Sequence, residues 1–118
     1  MAEVFEINQK RIFSLEEARA LLPIVRRITK ATHDEVNRLA VMLKMLPAGE
    51  KQEALEIEIK ALFRDWLIKM KKLGVEAKGS WLVDFDNGEG YYCWRYPEPE
   101  ISHFHGYQDG FSKRVKIH

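Results

Sequence analysis

Trp81-Leu82-Val83-Asp84-Phe85-Asp86-Asn87-Gly88-Glu89-Gly90-Tyr91-Tyr92-Cys93-Trp94-Arg95-Tyr96 reads as two alternating runs around an Asn-Gly turn, the pattern of a β-hairpin. With Asp86 opposite Tyr91, Val83 meets Trp94 and Asp84 meets Cys93. Centring the turn on Asn87-Gly88 instead keeps the same residues on the same faces. One face holds Trp81, Val83, Phe85, Tyr92, Trp94 and Tyr96, a nearly continuous aromatic layer. The other holds Asp84, Asp86, Cys93 and Arg95.

An aromatic layer of that size needs a cover, and the sequence before it supplies two helices. Ser14 and Glu17 form a capping box, each positioned to bond the other's amide. From Ala18 the apolar residues Leu21, Leu22, Val25, Ile28, Val36, Leu39, Met42, Leu43 and Leu46 recur at helical spacing. Pro23 interrupts this run and predicts a kink. Pro47-Ala48-Gly49-Glu50 has the length of a turn between antiparallel helices. The second helix, from about Lys51 to Leu73, carries Leu55, Ile59, Leu62, Phe63, Trp66, Met70 and Leu73 on one face. Glu53, Glu56 and Glu58 occupy its first half, and Arg64, Lys69, Lys71 and Lys72 its second, which complements the helix dipole. Gly74 sits at the expected left-handed C-cap.

Ile57, Leu67 and Ile68 fall outside that stripe, so the C-terminal region, a second copy of the chain, or both must cover them. The expected fold is α+β in one domain: a long antiparallel two-helix hairpin over residues 12–74, then a small antiparallel β-region over 75–111. The segment up to about Ile12 reads as a flexible lead or a short edge strand. Pro97 to Phe111 is too punctuated for a helix and reads as an ordered loop with room for one more short strand. Residues 112–118 read as a loose basic tail.

Composition narrows the class. At 118 residues, 46% hydrophobic and 31% charged, the chain is globular rather than disordered. A net charge of +1 gives no global field for nucleic acid or anionic lipid. The lone cysteine, Cys93, excludes an internal disulfide and a multi-thiolate zinc site, and fits a reducing compartment. The opening residues Met1-Ala2-Glu3-Val4-Phe5-Glu6 lack a signal-peptide pattern, and no apolar run reaches membrane-spanning length. The expected location is the cytoplasm.

Chemistry-bearing residues crowd the C-terminal third: Asp84, Cys93, Arg95, Glu98, Glu100, His103, His105 and Asp109. His103 and His105 share one side of an extended segment, and with Glu98, Glu100 or Asp109 they suit zinc, manganese or iron. Against this, two histidines two residues apart are a weak motif, and surface polar groups are the plainer reading of them. Cys93 activated by His105 would make a nucleophile, but mid-strand is a poor platform, and a thiol there is usually a small buried group. Glu98 and Glu100 resemble a glycosidase pair, with no sugar cleft to define them. Arg95, Lys113, Arg114 and Lys116 interleave with aromatics, yet the nearby acids repel phosphate and argue against a nucleic-acid partner. The plainest reading is an ion-pair network in which Arg95 meets Asp84, and Glu98 or Glu100 meets Arg95 or Arg114.

The segments Phe13-Ser14-Leu15-Glu16-Glu17-Ala18, Leu21-Leu22-Pro23, Leu73-Gly74-Val75 and Leu82-Val83-Asp84-Phe85 have a family look. So do Cys93-Trp94-Arg95, Glu98-Pro99-Glu100-Ile101, His105 and Gly110-Phe111 followed by Arg114. Together they resemble the bacterial domain-of-unknown-function family 2203, from about Ile12 to Arg114. The resemblance implies a charged helical hairpin before a short β-rich C-terminus and carries no assigned activity. It implies a ligand site among Asp84, Arg95, Glu98, Glu100, His105 and Arg114. Trp81 stands where the family commonly has glycine, Asp86 replaces a frequent proline, and Tyr96-Pro97 replaces a residue followed by glycine. His103 replaces an aromatic, which leaves His105 as the matching histidine.

Two functional expectations follow. The first is a non-enzymatic binding or assembly module that forms a homodimer through its helices, with substitution of Leu39 or Leu62 by a charged residue disrupting it. The second is a small metal-binding or metal-dependent hydrolytic protein holding a divalent ion such as zinc on His105, Glu98, Glu100 and Asp109.

Overall fold

The computed structural model describes residues 11–117, without the side chain of Ser80. The lead segment before Arg11 lies outside the described residues. Helix α1 spans Leu15–Lys44 and helix α2 spans Glu50–Lys72. Five strands follow: β1 Glu76–Lys78, β2 Leu82–Asp86, β3 Gly90–Arg95, β4 His103–Gly106 and β5 Val115–Lys116. They form one antiparallel sheet in the order of the sequence. The fold is α+β, as the sequence pattern predicts.

The capping box is complete: the Ser14 amide donates to Glu17 Oε1 at 2.8 Å and the Glu17 amide to Ser14 Oγ at 3.1 Å. Helix α1 continues through Pro23, which lies on its exposed side. At the end of α2, the Gly74 amide bonds the Lys71 carbonyl and the Val75 amide bonds the Met70 carbonyl. That pairing is a Schellman cap, and Gly74 provides its left-handed residue with φ +85°.

The β2–β3 register pairs Asp86 with Tyr91, Asp84 with Cys93 and Val83 with Trp94. Val83, Phe85 and Trp94 lie under the helices with Phe13, Ala18, Leu22, Val25, Trp66, Met70, Val75 and Ile101. The Trp66 indole N–H, wholly buried, donates to Thr29 Oγ1 at 2.9 Å and ties α2 to α1. Arg19 of α1 donates to the Ile101 carbonyl at 3.3 Å, and the Trp94 indole donates to the Glu98 carbonyl at 2.9 Å. These two bonds seat the 96–102 loop against α1 and β3.

Three sequence expectations change. Trp81 does not begin β2; it closes a 3₁₀ turn over Gly79–Trp81 with φ +64°. A left-handed backbone disfavours a bulky side chain and suits the glycine expected at this position. Contacts offset that strain: the Trp81 ring packs on Phe63, Trp66 and His33. Residues 112–117 are not a loose tail. Phe111–Lys113 is a 3₁₀ turn, Val115 and Lys116 pair with Phe104 and His103, and the Ile117 amide bonds the Ser102 carbonyl at 2.9 Å. The open backbone groups of β4 draw in two residues too few to show a period of their own. Finally, Leu39 is buried and Leu62 half-buried, so a charge at Leu39 would disturb the chain's own interior.

The hairpin overhangs the sheet. Beyond Thr29, Leu39 is the one buried residue of α1, and the buried residues of α2 are Trp66 and Met70, near its C-terminal end. The radius of gyration, 16.5 Å, exceeds the roughly 13 Å expected of a compact domain of this length.

Replacing Thr29 with valine keeps the shape of the side chain and leaves the Trp66 N–H without its acceptor. Urea denaturation of Thr29→Val is expected to show a loss of about 1–3 kcal/mol, the cost of an orphaned buried donor. A loss near zero would mean that the bond does not hold the two helices together.

Candidate functional site

The second face of the sheet is not open to water. Asp84 and Cys93 are fully buried, and His105 and Asp86 nearly so. Alternation along β2, β3 and β4 sends these side chains to the side away from the helices. Asp84 pairs with Cys93, and His105 pairs with Tyr91 on the next strand. Gly90 lets β4 come close enough, since a Cβ there would lie 2.5 Å from the His105 carbonyl oxygen.

Asp84 is the hub. Its Oδ1 lies 3.1 Å from His105 Nε2, and its Oδ2 accepts from Lys78 Nζ at 2.8 Å. His105 Nδ1 lies 2.9 Å from the Gly106 carbonyl oxygen. The carboxylate oxygen, the Cys93 sulfur and a ring nitrogen of His105 all fall within 4.8 Å of one another. Burial pushes the Cys93 thiol up to about 12, helped by the Asp84 charge and opposed by Arg114. Burial likewise lifts the Tyr91 phenol to about 12, with the Glu76 charge adding to it. Tyr91 donates to Glu76 Oε1 at 3.3 Å, while Tyr107 donates to Asp86 Oδ1 at 2.6 Å. The Tyr91 ring packs on His105 and Tyr107, and Lys78 sits over it, so a polar layer two residues deep closes this face.

A second group lies beside the first. Arg114 makes a two-pronged ion pair with Glu98, one bond measuring 3.0 Å, and Glu98 also accepts from the Arg95 amide at 2.8 Å. The guanidinium groups of Arg95 and Arg114 both lie over the Phe111 ring, 5.2 and 4.1 Å from its centre. Gly79, Leu82, Arg95 and Phe111 line a shallow cavity here of about 210 Å³. The Arg114 charge also acts on the Cys93 thiol, and so the two groups are electrostatically linked.

The residues singled out in the sequence therefore divide. Asp84 and His105 meet; Arg95, Glu98 and Arg114 form the neighbouring group; Glu100 and Asp109 are exposed. Glu98, Glu100 and Asp109 do not gather with His105 into a ligand cluster among the described residues; Asp84 and Cys93 do. His103 lies on β4 opposite Cys93, with its Nδ1 3.2 Å from Ser102 Oγ. Asp84 takes Lys78 and His105 as partners, and Arg114 takes Glu98. The nucleophile reading of Cys93 loses its geometry, because the nitrogens of His105 face Asp84 and Gly106 and the thiol is sealed. Lys78, Tyr91 and Tyr107 escaped the sequence reading. Tyr107 was within reach, two residues after His105 on the same alternation, whereas the three-residue strand carrying Lys78 is too short to announce itself.

A family model described as "Uncharacterized conserved protein (DUF2203)" matches residues 11–117. The chain belongs to this family. The match spans both helices and all five strands, so both polar groups are inside the family's domain. No curated protein and no solved structure matches the chain.

In the fold, Glu98 is held below its ordinary 4.5: burial pulls it upward, and the Arg114 and Arg95 hydrogen bonds and the Arg114 charge together outweigh it. Its contribution to stability is complete above 4.5 and is lost as pH falls through the depressed value. The urea midpoint of the wild type should therefore fall more steeply below that pH than the midpoint of Glu98→Gln. Parallel curves across the acid range would show that the Arg114 pair does not stabilise the fold.

Proposed function

We propose that this family member is a cytoplasmic assembly module that pairs with a second copy of itself through α2. The observation that carries this reading is the outward face of α2. Ile57, Ala61, Arg64 and Ile68 recur at helical spacing on the side opposite Trp66 and Met70, with Ile57 68% and Ile68 46% exposed. Leu67 is partly covered by the core, so the sheet meets part of the demand and leaves this stripe.

The charges give the stripe a direction. Acidic Glu53, Glu56 and Glu58 precede its middle, while basic Arg64, Lys69, Lys71 and Lys72 lie at or beyond it. Two copies of α2 laid antiparallel about that middle bring Ile57 of one against Ile68 of the other. Each acidic half then faces a basic half. This is the self-complementary contact that a two-fold dimer requires, whereas a parallel pairing would set like charges together. A helix of 23 residues offers a seam about 35 Å long. The outward face of the hairpin leaves room for it. Among the described residues, no helix is long and apolar enough to cross a membrane, which agrees with a hairpin made for protein contacts.

Sedimentation velocity on the wild type is expected to show a dimer at micromolar concentration. Ile57→Glu combined with Ile68→Glu should give a monomer with an unchanged circular dichroism spectrum. Reversing Glu53, Glu56 and Glu58 to lysine should weaken the dimer, and reversing Lys69, Lys71 and Lys72 to glutamate in the same chain should restore it. A strictly monomeric wild type, or a dimer indifferent to both isoleucines, overturns the reading.

A further inference from the structure

We infer that Asp84, Cys93 and His105 form a binding site for one borderline-soft divalent ion, zinc above all. The donor set is a carboxylate oxygen, a sulfur and an imidazole nitrogen, all within 4.8 Å of one another and all buried. Mixed oxygen, nitrogen and sulfur donors suit zinc; magnesium and calcium require oxygen. Around tetrahedral zinc, neighbouring donors lie roughly 3.3–3.6 Å apart, so three donors already within 4.8 Å of one another need close by only on the order of 1 Å.

The second argument is independent of the spacing. His105 Nδ1 and Nε2 each face an acceptor, the Gly106 carbonyl at 2.9 Å and Asp84 Oδ1 at 3.1 Å. A neutral ring has one N–H for these two positions. In the tautomer with that proton on Nδ1, the Nε2 lone pair faces Asp84 Oδ1, and a cation between the two atoms would be bound by both. Metal-binding histidines are held in just this way, the outer nitrogen donating to a backbone carbonyl. Lys78 bonds Asp84 Oδ2 and leaves Oδ1 to the ion. On binding, the ion forms a bond to the Cys93 sulfur and the thiol proton leaves to solvent. Asp84 and the thiolate then balance the dication, and the three protein donors leave one tetrahedral position over. Lys78 is 45% exposed and its ammonium is the layer between Asp84 and water, so the ion enters where this side chain swings away.

Cobalt(II) reports on such a site because a thiolate bound to it gives a near-ultraviolet charge-transfer band. Reduced, chelator-treated protein titrated with cobalt is expected to develop this band to saturation at one ion per chain, and zinc should abolish it. Cys93→Ser should eliminate the band, and Asp84→Asn should weaken binding at least about tenfold. Glu100→Gln and Asp109→Asn should leave it unchanged. If Cys93→Ser fails to fold, X-ray absorption of the zinc-loaded wild type decides, with one sulfur expected in the coordination shell. Absence of the band in folded wild type, a zinc shell without sulfur, or binding that Asp109→Asn removes would each overturn the site.

Discussion

A carboxylate cut off from water must be matched inside the fold, and Asp84 sets that demand at the centre of the sheet. Its two oxygens take Lys78 from β1 and His105 from β4, so one residue on β2 fixes strands on both sides of the central hairpin. Removing either partner would leave a buried charge partly unmatched, whereas an apolar trio in the same space would bind nothing. The cluster is costly to maintain as mere filling. That imbalance is the physical reason to look for chemistry on this face and not in the aromatic layer beneath the helices.

The two faces of the sheet divide the work. Val83, Phe85 and Trp94 join Trp66, Met70 and the α1 residues in an apolar core, where Thr29 satisfies the buried Trp66 indole N–H. Across the sheet, Asp84, Cys93 and His105 lie under Tyr91, Tyr107 and Lys78. The backbone between them is shared. The core that anchors β2 and β3 therefore holds the donor atoms in place as well, which is the preorganisation a small site needs.

The overhanging hairpin obeys a different constraint. Helices α1 and α2 cover each other along one seam and the sheet packs on the Trp66 and Met70 side of α2, so Ile57 and Ile68 on its outward face stay exposed. The graded charge of α2 serves two purposes at once. It complements the helix dipole within one chain, and it makes the exposed stripe complementary to its own reversed copy. The proposed assembly surface on the helices and the proposed ion site beneath the strands lie on opposite sides of the core.

Much of this was written in local patterns. The capping box at Ser14 and Glu17, the apolar stripes of both helices, the Gly74 cap and the pairing of Asp86 with Tyr91 each depend on residues close in the chain. Period and turn chemistry identify such features. The same alternation placed Asp84 beside Cys93. Tertiary structure decided the rest. The left-handed turn at Trp81 exists because Phe63, Trp66 and His33 hold the ring. The strand at Val115–Lys116 exists because β4 offers it an edge. Glu98 turns to Arg114 rather than to His105 because Arg19 and Trp94 pin the 96–102 loop to α1 and β3. The partners of Asp84 lie 6 and 21 residues away in sequence, on the three-residue β1, too short to show a period, and on β4, whose pairing no short window reveals. Sequence alone determined which residues share a face, since alternation is a local property of the backbone; which face is sealed, and which donors meet there, only the closure of five strands could decide.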